Sequence, residues 1–359
     1  MQSCFIHRIG TATPEYSLGP ADSVELFRKT GLDPRLARML PRIVKLTEIE
    51  RRHLVVMEPK YAPYGEEALY REPTEQPNGP GMGARMALFD KTAGDLVQRA
   101  LASFDSPEMN GIQALVTASC THASAPGLER PIFARTAIRP TVDRWNLGFM
   151  GCSAGLAGLR LIHQMAARSK ECLLVACELC SLHFQYTSRL DQLTANVLFA
   201  DGAAAVLVSP RPSAVRVLAC ECASIPSKAD QMVWSADDHG LRLELSQDLP
   251  DTLGREVPAA IGAFLDRAGC LVRDIDHWLV HPGGPQILDS VQNALALPTE
   301  ALDRSRGVLR RHGNMSSPTI FFILRDLIES GAQGRALAMA FGPGLTMEMV
   351  LLEVGAVGR

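Results

Sequence analysis

Phe149-Met150-Gly151-Cys152-Ser153-Ala154-Gly155-Leu156-Ala157-Gly158-Leu159 reads as a tight turn running into a helix. Its small residues let that helix begin deep in a core, with the first amide groups around the Cys152 sulfur. A thiol at a helix N-terminus is expected to have a lowered pKa and a larger share of thiolate, its nucleophilic form. The competing reading is a buried, inert cysteine. About 162 residues further on, Gly313-Asn314-Met315-Ser316 matches the turn around Cys152. Working outward, the strand pattern ending in Leu115-Val116 returns about 164 residues later at Leu279-Val280, and Cys172–Cys177 returns about 163 later at Arg335–Ala340. Repetition at one offset predicts two related halves.

Short apolar runs alternating with helical periodicity place the chain in the α/β class. Strands are expected at Ala114–Ala118, Cys172–Cys177, Ala204–Val208, Trp278–Val280, Ala336–Ala340 and Met349–Val354. Helices are expected at Ser153–Ala167, Arg255–Ala268 and Thr319–Ser330, and an extended surface loop at Glu58–Met82. Two prolines in Pro210-Arg211-Pro212 stop the strand before them, which sets the halves at 1–210 and 211–359. A length of 359 residues suits such a two-lobed body.

Each half also supplies a candidate for chemistry. His281 follows strand Trp278–Val280 and opens His281-Pro282-Gly283-Gly284-Pro285, a rigid turn at the strand's C-terminal end, where α/β folds gather ligands. Asn314 occupies the second half's counterpart of Cys152, in His312-Gly313-Asn314-Met315-Ser316-Ser317-Pro318. Its amide can donate to an oxygen gaining charge; the plainer role is a helix cap.

Taken together with Ile9-Gly10-Thr11-Ala12-Thr13-Pro14, Leu198-Phe199-Ala200-Asp201-Gly202-Ala203-Ala204-Ala205 and Phe341-Gly342-Pro343-Gly344-Leu345-Thr346, these motifs resemble the type III polyketide synthases, the chalcone and stilbene synthase group. The matches run in order from residue 5 to about residue 352. The resemblance implies a thiolase-like fold of two duplicated α/β halves in a five-layered αβαβα body, working as a homodimer. It implies that Cys152 takes an acyl starter from a thioester, while His281 and Asn314 polarise a malonyl thioester as it decarboxylates. The enolate then attacks the acyl-cysteine. Decarboxylation drives this chemistry, so neither a metal nor another cofactor is expected. Ketoacyl-ACP synthase III enzymes share the Cys-His-Asn set but usually carry a different turn after the histidine; a non-catalytic acyl-binding member of the same fold is the alternative of another class.

The same resemblance implies substrate contacts at Phe199, Leu243, Cys120, Ala125, His183, Trp234, Ser316, Gly342, Pro343 and Gly344. Phe199 matches one of two aromatic gate residues of plant members, and the second falls on the smaller Leu243. Ala125 stands where plant enzymes carry methionine. Small side chains at both positions favour an aliphatic starter. Segment Arg42–Arg52 matches the helix that binds coenzyme A phosphates, yet two of its basic positions fall on Leu46 and Glu50. Either Lys45, Arg51 and Arg52 substitute, or an acyl carrier protein delivers the substrate.

Cys177-Glu178-Leu179-Cys180 has the spacing of a redox or zinc pair but lacks a completing second pair, so it reads as structural. A formal net charge of -3 offers no footprint for nucleic acid. No apolar run reaches bilayer length and no leader pattern opens the chain, so a cytoplasmic enzyme without a membrane partner is expected.

Overall fold

The computed structural model describes residues 4–28, 32–63, 65–166 and 170–355. Its centre is one mixed sheet in the order His277–Val280, Gly334–Gly342, Thr346–Val354, Val215–Ser224, Cys4–Ala12, Asp201–Ser209, Cys172–Leu179, Ala114–Ser119, Asp143–Gly148. The strands of each half lie together. Among the described residues they meet where Cys4, Phe5 and Ile6 pair with Val217, Arg216 and Val215, so the sheet is continuous through this seam.

Helices Ala154–Ala166 and Thr319–Glu329 lie between the two groups of strands and touch both. Helix Met82–Ala100 covers the outer face of the first group. Helix Leu249–Arg267 covers that of the second, burying Val257, Ile261 and Phe264 in a cluster that includes Trp278, Met339 and Met349. The layers are therefore helix, sheet, helix, sheet, helix, the αβαβα plan. Strands buried on both faces explain why Cys172–Cys177 and Ala204–Val208, within strands Cys172–Leu179 and Asp201–Ser209, read as unbroken apolar runs.

Every expected strand is present, several being longer than the apolar run alone suggests. Helix Ser153–Ala167 is observed as a 3₁₀ turn, Gly151–Ser153, followed by Ala154–Ala166; residue 167 lies outside the described residues. The helix expected at Arg255 begins at Leu249, because Pro250 fits the first turn, where its missing N–H is not needed. Glu58–Met82 contains no regular element before helix Met82–Ala100, among the described residues. Further strands are Cys4–Ala12, Asp143–Gly148, Val215–Ser224 and the hairpin Met232–Asp237 with Gly240–Leu245.

The two central helices touch at a glycine. A Cβ on Gly155 would sit 2.4 Å from the Ser317 carbonyl oxygen and 3.0 Å from the Phe321 ring. Arg160 fixes the same helix to the second half through a two-pronged ion pair with the buried Glu348, at 2.7 and 2.9 Å. Gly155→Ala is expected to destabilise the protein by about 1–3 kcal/mol in urea unfolding, since overpacking against backbone exceeds the roughly 1 kcal/mol helix-propensity gain of alanine. Unchanged or raised stability would show that the helices can separate at no cost.

Candidate active site

Cys152, His281 and Asn314 come from different elements and line one cavity between the halves. Cys152 occupies the 3₁₀ turn ahead of helix Ala154–Ala166. The turn is reached through positive φ at Phe149 (57°) and Gly151 (59°). Gly151 tolerates no side chain, because a Cβ there would lie 2.6 Å from Pro343 Cδ. His281 follows the buried strand His277–Val280 and is anchored by its own N–H to the Met339 carbonyl at 2.8 Å. Asn314 is held through its backbone, its N–H donating to Leu198 O (3.1 Å) and its carbonyl accepting from Ala200 N–H (2.8 Å).

The orientation of the Asn314 amide follows from one partner. Ser316 N–H donates to Oδ1 at 2.8 Å, which only the oxygen can accept, so the NH₂ group is left for the cavity. The Cys152 sulfur lies 3.8 Å from Oδ1 and 3.9 Å from Nδ2. Helix Thr319–Glu329 is capped by Pro318, so Asn314 is not its cap.

Charge is strongly disfavoured here. Enclosure pushes the Cys152 thiol up to about 12, with hydrogen bonds from Ser316 and Asn314 pulling the other way and Glu178 adding to the rise. The lowered thiol pKa expected from the helix N-terminus is not what the structure shows: desolvation outweighs the hydrogen bonds to Ser316, Asn314 and the backbone. His281 is held down to about 3 by burial, with Asn314 pulling upward. Among the described residues neither His281 ring nitrogen makes a hydrogen bond of full geometry, and the Asn314 side chain is the polar group that interacts with the ring. The site therefore combines a thiol whose ionisation burial opposes, an imidazole whose protonation burial opposes, and an amide donor.

Of the residues expected to contact substrate, Phe199, Leu243, Cys120, Trp234, Ser316 and Pro343 line this cavity. Gly342 and Gly344 shape the turn beside it. A Cβ on Gly342 would meet Ser153 Oγ at 2.3 Å, whereas Gly344 adopts φ 74° with open space around it.

Three expectations are corrected. His183 does not face the cavity: its Nδ1 accepts from Leu241 N–H (3.1 Å), so Nε2–H donates to Thr121 O (2.9 Å), and the ring braces the hairpin against the loop after Ser119. Ala125 is exposed, in a loop that packs on the edge strand Asp143–Gly148 through Gly127 and Asn146, and is absent from the chain's own cavity. Arg52 is 1% exposed, with its guanidinium committed to backbone carbonyls inside the protein, so it cannot meet a phosphate at the surface. Lys45 and Arg51 are exposed, and Lys45 lines a surface groove with Glu48, Glu50 and Arg310.

Sequence reasoning passed over Glu178. This carboxylate is fully buried and accepts from Cys120 N–H, Thr121 N–H, Thr121 Oγ1 (2.7 Å) and Ser317 Oγ (2.6 Å). A charged residue inside the apolar run Cys172–Leu179 was the signal available for it. Cys180, assigned a structural role, also lines the cavity. Among the described residues no group of three or more His, Cys, Asp or Glu side chains is placed to hold a metal ion.

A two-half αβαβα body with cysteine, histidine and asparagine gathered between the halves is the plan of the thiolase-like condensing enzymes. Residues 3–212 match the N-terminal domain of the chalcone and stilbene synthases and residues 218–355 match their C-terminal domain, so the chain belongs to that family, the type III polyketide synthases. It is 31% identical to a 1,3,6,8-tetrahydroxynaphthalene synthase of Streptomyces peucetius subsp. caesius, over 96% of this chain and 92% of the relative. It is 28% identical to the alpha-pyrone synthesis polyketide synthase-like Pks18 of Mycobacterium tuberculosis, over 97% of this chain and 91% of the relative. Among solved structures, the C-terminal type III polyketide synthase domain of Steely1 from Dictyostelium superposes with a TM-score of 0.88 at 25% identity, covering 99% of this chain and all of that one. The protein is a decarboxylative condensing acyltransferase acting on thioesters of coenzyme A, and enzymes of this family need no cofactor.

The electrostatics yield a test. With the thiol raised, the thiolate fraction grows about tenfold per pH unit, so iodoacetamide labelling of Cys152 should accelerate without a plateau between about pH 7 and 10. Peptide mass spectrometry follows the rate. A plateau below about pH 8 would mean that a thiolate is already stabilised at rest.

Proposed function

We propose that Cys152 is the acyl carrier of the reaction and that His281 and Asn314 act on the malonyl thioester. The observation supporting this is that a thiol, an imidazole and an oriented amide NH₂ share one cavity. In the loading step His281 takes the thiol proton as the sulfur attacks the starter thioester, and the same proton passes to the departing thiolate. Transferring the proton only when substrate has arrived avoids holding a thiolate in a dry site. In the extension step carbon dioxide leaves the malonyl group, and the electron pair it releases forms an enolate. Hydrogen bonds from the Asn314 NH₂ and the His281 N–H stabilise that oxygen. Enolate carbon then attacks the acyl carbonyl, and the Cys152 sulfur leaves as the new carbon–carbon bond forms.

The starter proposed is an aliphatic acyl thioester. Leu243, Leu245, Leu249, Leu253, Ile287 and Phe341 make much of the wall apolar, and Leu243 leaves more room than an aromatic gate residue. Exposure of Ala125 removes that residue from the argument within a single chain. Cyclisation to a pyrone or resorcinol-type product is the proposed outcome, in keeping with the alpha-pyrone relative. Lys45 and Arg51 are the residues proposed to meet substrate phosphates. Delivery by an acyl carrier protein is the other form this contact takes.

Two halves at 1–210 and 211–359, a homodimer and a cytoplasmic location complete the proposal. Edge strand Asp143–Gly148 supports the dimer: its outer side is unpaired and Trp145 stands 36% exposed on it, and such an edge is a template for a second copy. Free thiols at all nine cysteines suit a reducing compartment.

Cys152→Ala should lose acyl loading, read by intact-protein mass spectrometry, while malonyl decarboxylation persists. Asn314→Ala and His281→Ala should each slow decarboxylation about a hundredfold or more, as expected on removing a donor to a developing oxyanion. A Cys152→Ala protein that still gains an acyl group would overturn the assignment. Leu243→Phe should lower turnover of long acyl starters relative to short ones, since an overfilled apolar site rejects each methylene by about 1–3 kcal/mol. An unchanged chain-length preference would remove the basis for an aliphatic starter.

A further inference from the structure

Arg52 is a buried cation with an unusual set of partners. Its Nη1 donates to the carbonyls of Asn196 and Phe199, both at 2.7 Å, and its Nη2 donates to Ser23 Oγ at 3.2 Å. The stem lies against Gly313: a Cβ there would come within 3.0 Å of Arg52 Cγ. Asp201 supplies the opposite charge, itself fixed by Val55 N–H (2.7 Å), Ser181 N–H (2.8 Å) and Ser181 Oγ (2.6 Å).

These contacts surround the segment that carries Asn314. The two backbone hydrogen bonds placing Asn314 run to Leu198 O and Ala200 N, and the carbonyl between those residues is that of Phe199. Phe199 and Asn314 form a parallel bridge across this join. One arginine side chain therefore holds the backbone of the gate residue with its guanidinium and lies against the residue preceding Asn314 with its stem.

We propose that Arg52 is a positioning residue for the condensation, holding the Phe199 gate and the Asn314 amide in register across the two halves. This rests on the reading of Asn314 as a donor to the malonyl carbonyl. Planar geometry makes arginine the suitable residue, because a rigid fork reaches two carbonyls and a hydroxyl at once, whereas an ammonium presents a single point of donation. A displaced donor acts on the decarboxylation transition state. Acyl transfer to Cys152, which sits in the 3₁₀ turn ahead of helix Ala154–Ala166, is spared.

The test compares two rates in Arg52→Lys, Ser23→Ala and Asn314→Ala. Malonyl-CoA decarboxylation is followed without a starter, and loading of Cys152 by an acyl-CoA is followed by intact mass. Arg52→Lys should cut the decarboxylation kcat by about tenfold or more with KM and loading rate within about twofold, since a small misplacement of a catalytic group costs up to a hundredfold. Ser23→Ala, which removes only one anchor of the guanidinium, should cut the same kcat by about threefold. It decides the matter if Arg52→Lys does not fold. Decarboxylation and loading falling by one common factor, or neither falling, overturns the positioning role. Slow decarboxylation in Asn314→Ala with wild-type rates in the other two overturns that role alone. A wild-type rate in Asn314→Ala overturns it together with the reading of Asn314.

Discussion

The buried carboxylate of Glu178 is the constraint around which the reaction centre is organised. It lies in the first half, at the end of strand Cys172–Leu179, and reaches Ser317 in the second. Burial pushes its pKa up to about 7, while the donors from Ser317, Thr121 and Cys120 pull it back. A carboxylate in such a place is tolerated only when its lone pairs are used, and hydrogen bonds from both halves use them. Separating the halves at this point would strand a desolvated acid. The cost of that outcome, added to the Gly155–Ser317 contact and the Arg160–Glu348 pair, keeps Cys152 and Asn314 within reach of one another.

Dryness then determines how the chemistry can run. The same enclosure that raises Cys152 lowers His281, so burial disfavours an ion pair between them. In the proposed mechanism charge is created as substrate bonds change, with donors already in position. On that reading the site favours an enolate at the Asn314 amide over a standing thiolate.

Much of the fold was legible because its strands are buried on both faces. Runs such as Cys172–Cys177 and Ala204–Val208 have little polar content to disguise them. Asp143–Gly148 was not legible, since it forms an exposed edge and carries polar residues on both sides. In the hairpin Met232–Asp237 with Gly240–Leu245, Leu241-Arg242-Leu243-Glu244-Leu245 alternates strictly, but its partner strand Met232–Asp237 does not, so no strand pair stands out. At the site, the glycine-rich turns and the offset between the halves drew Cys152, His281 and Asn314 out of the sequence. Glu178 was overlooked because its one local signal, a charge inside an apolar run, does not say which distant donors will satisfy it.

By itself the sequence determined the class of fold, the two related halves and the types of residue available for chemistry, because periodicity, turn residues and repeats are local properties of the chain. Tertiary structure alone decided what each charged or polar side chain does. Arg52 is read along the chain as one of a basic run, yet it is the residue of that run turned inward against Phe199 and Gly313, while Lys45 and Arg51 stay exposed. His183 braces a hairpin and Ala125 faces outward for the same reason. Burial and partnership depend on which distant segments fold over a residue, and the energy of a buried charge or imidazole is set almost wholly by those neighbours.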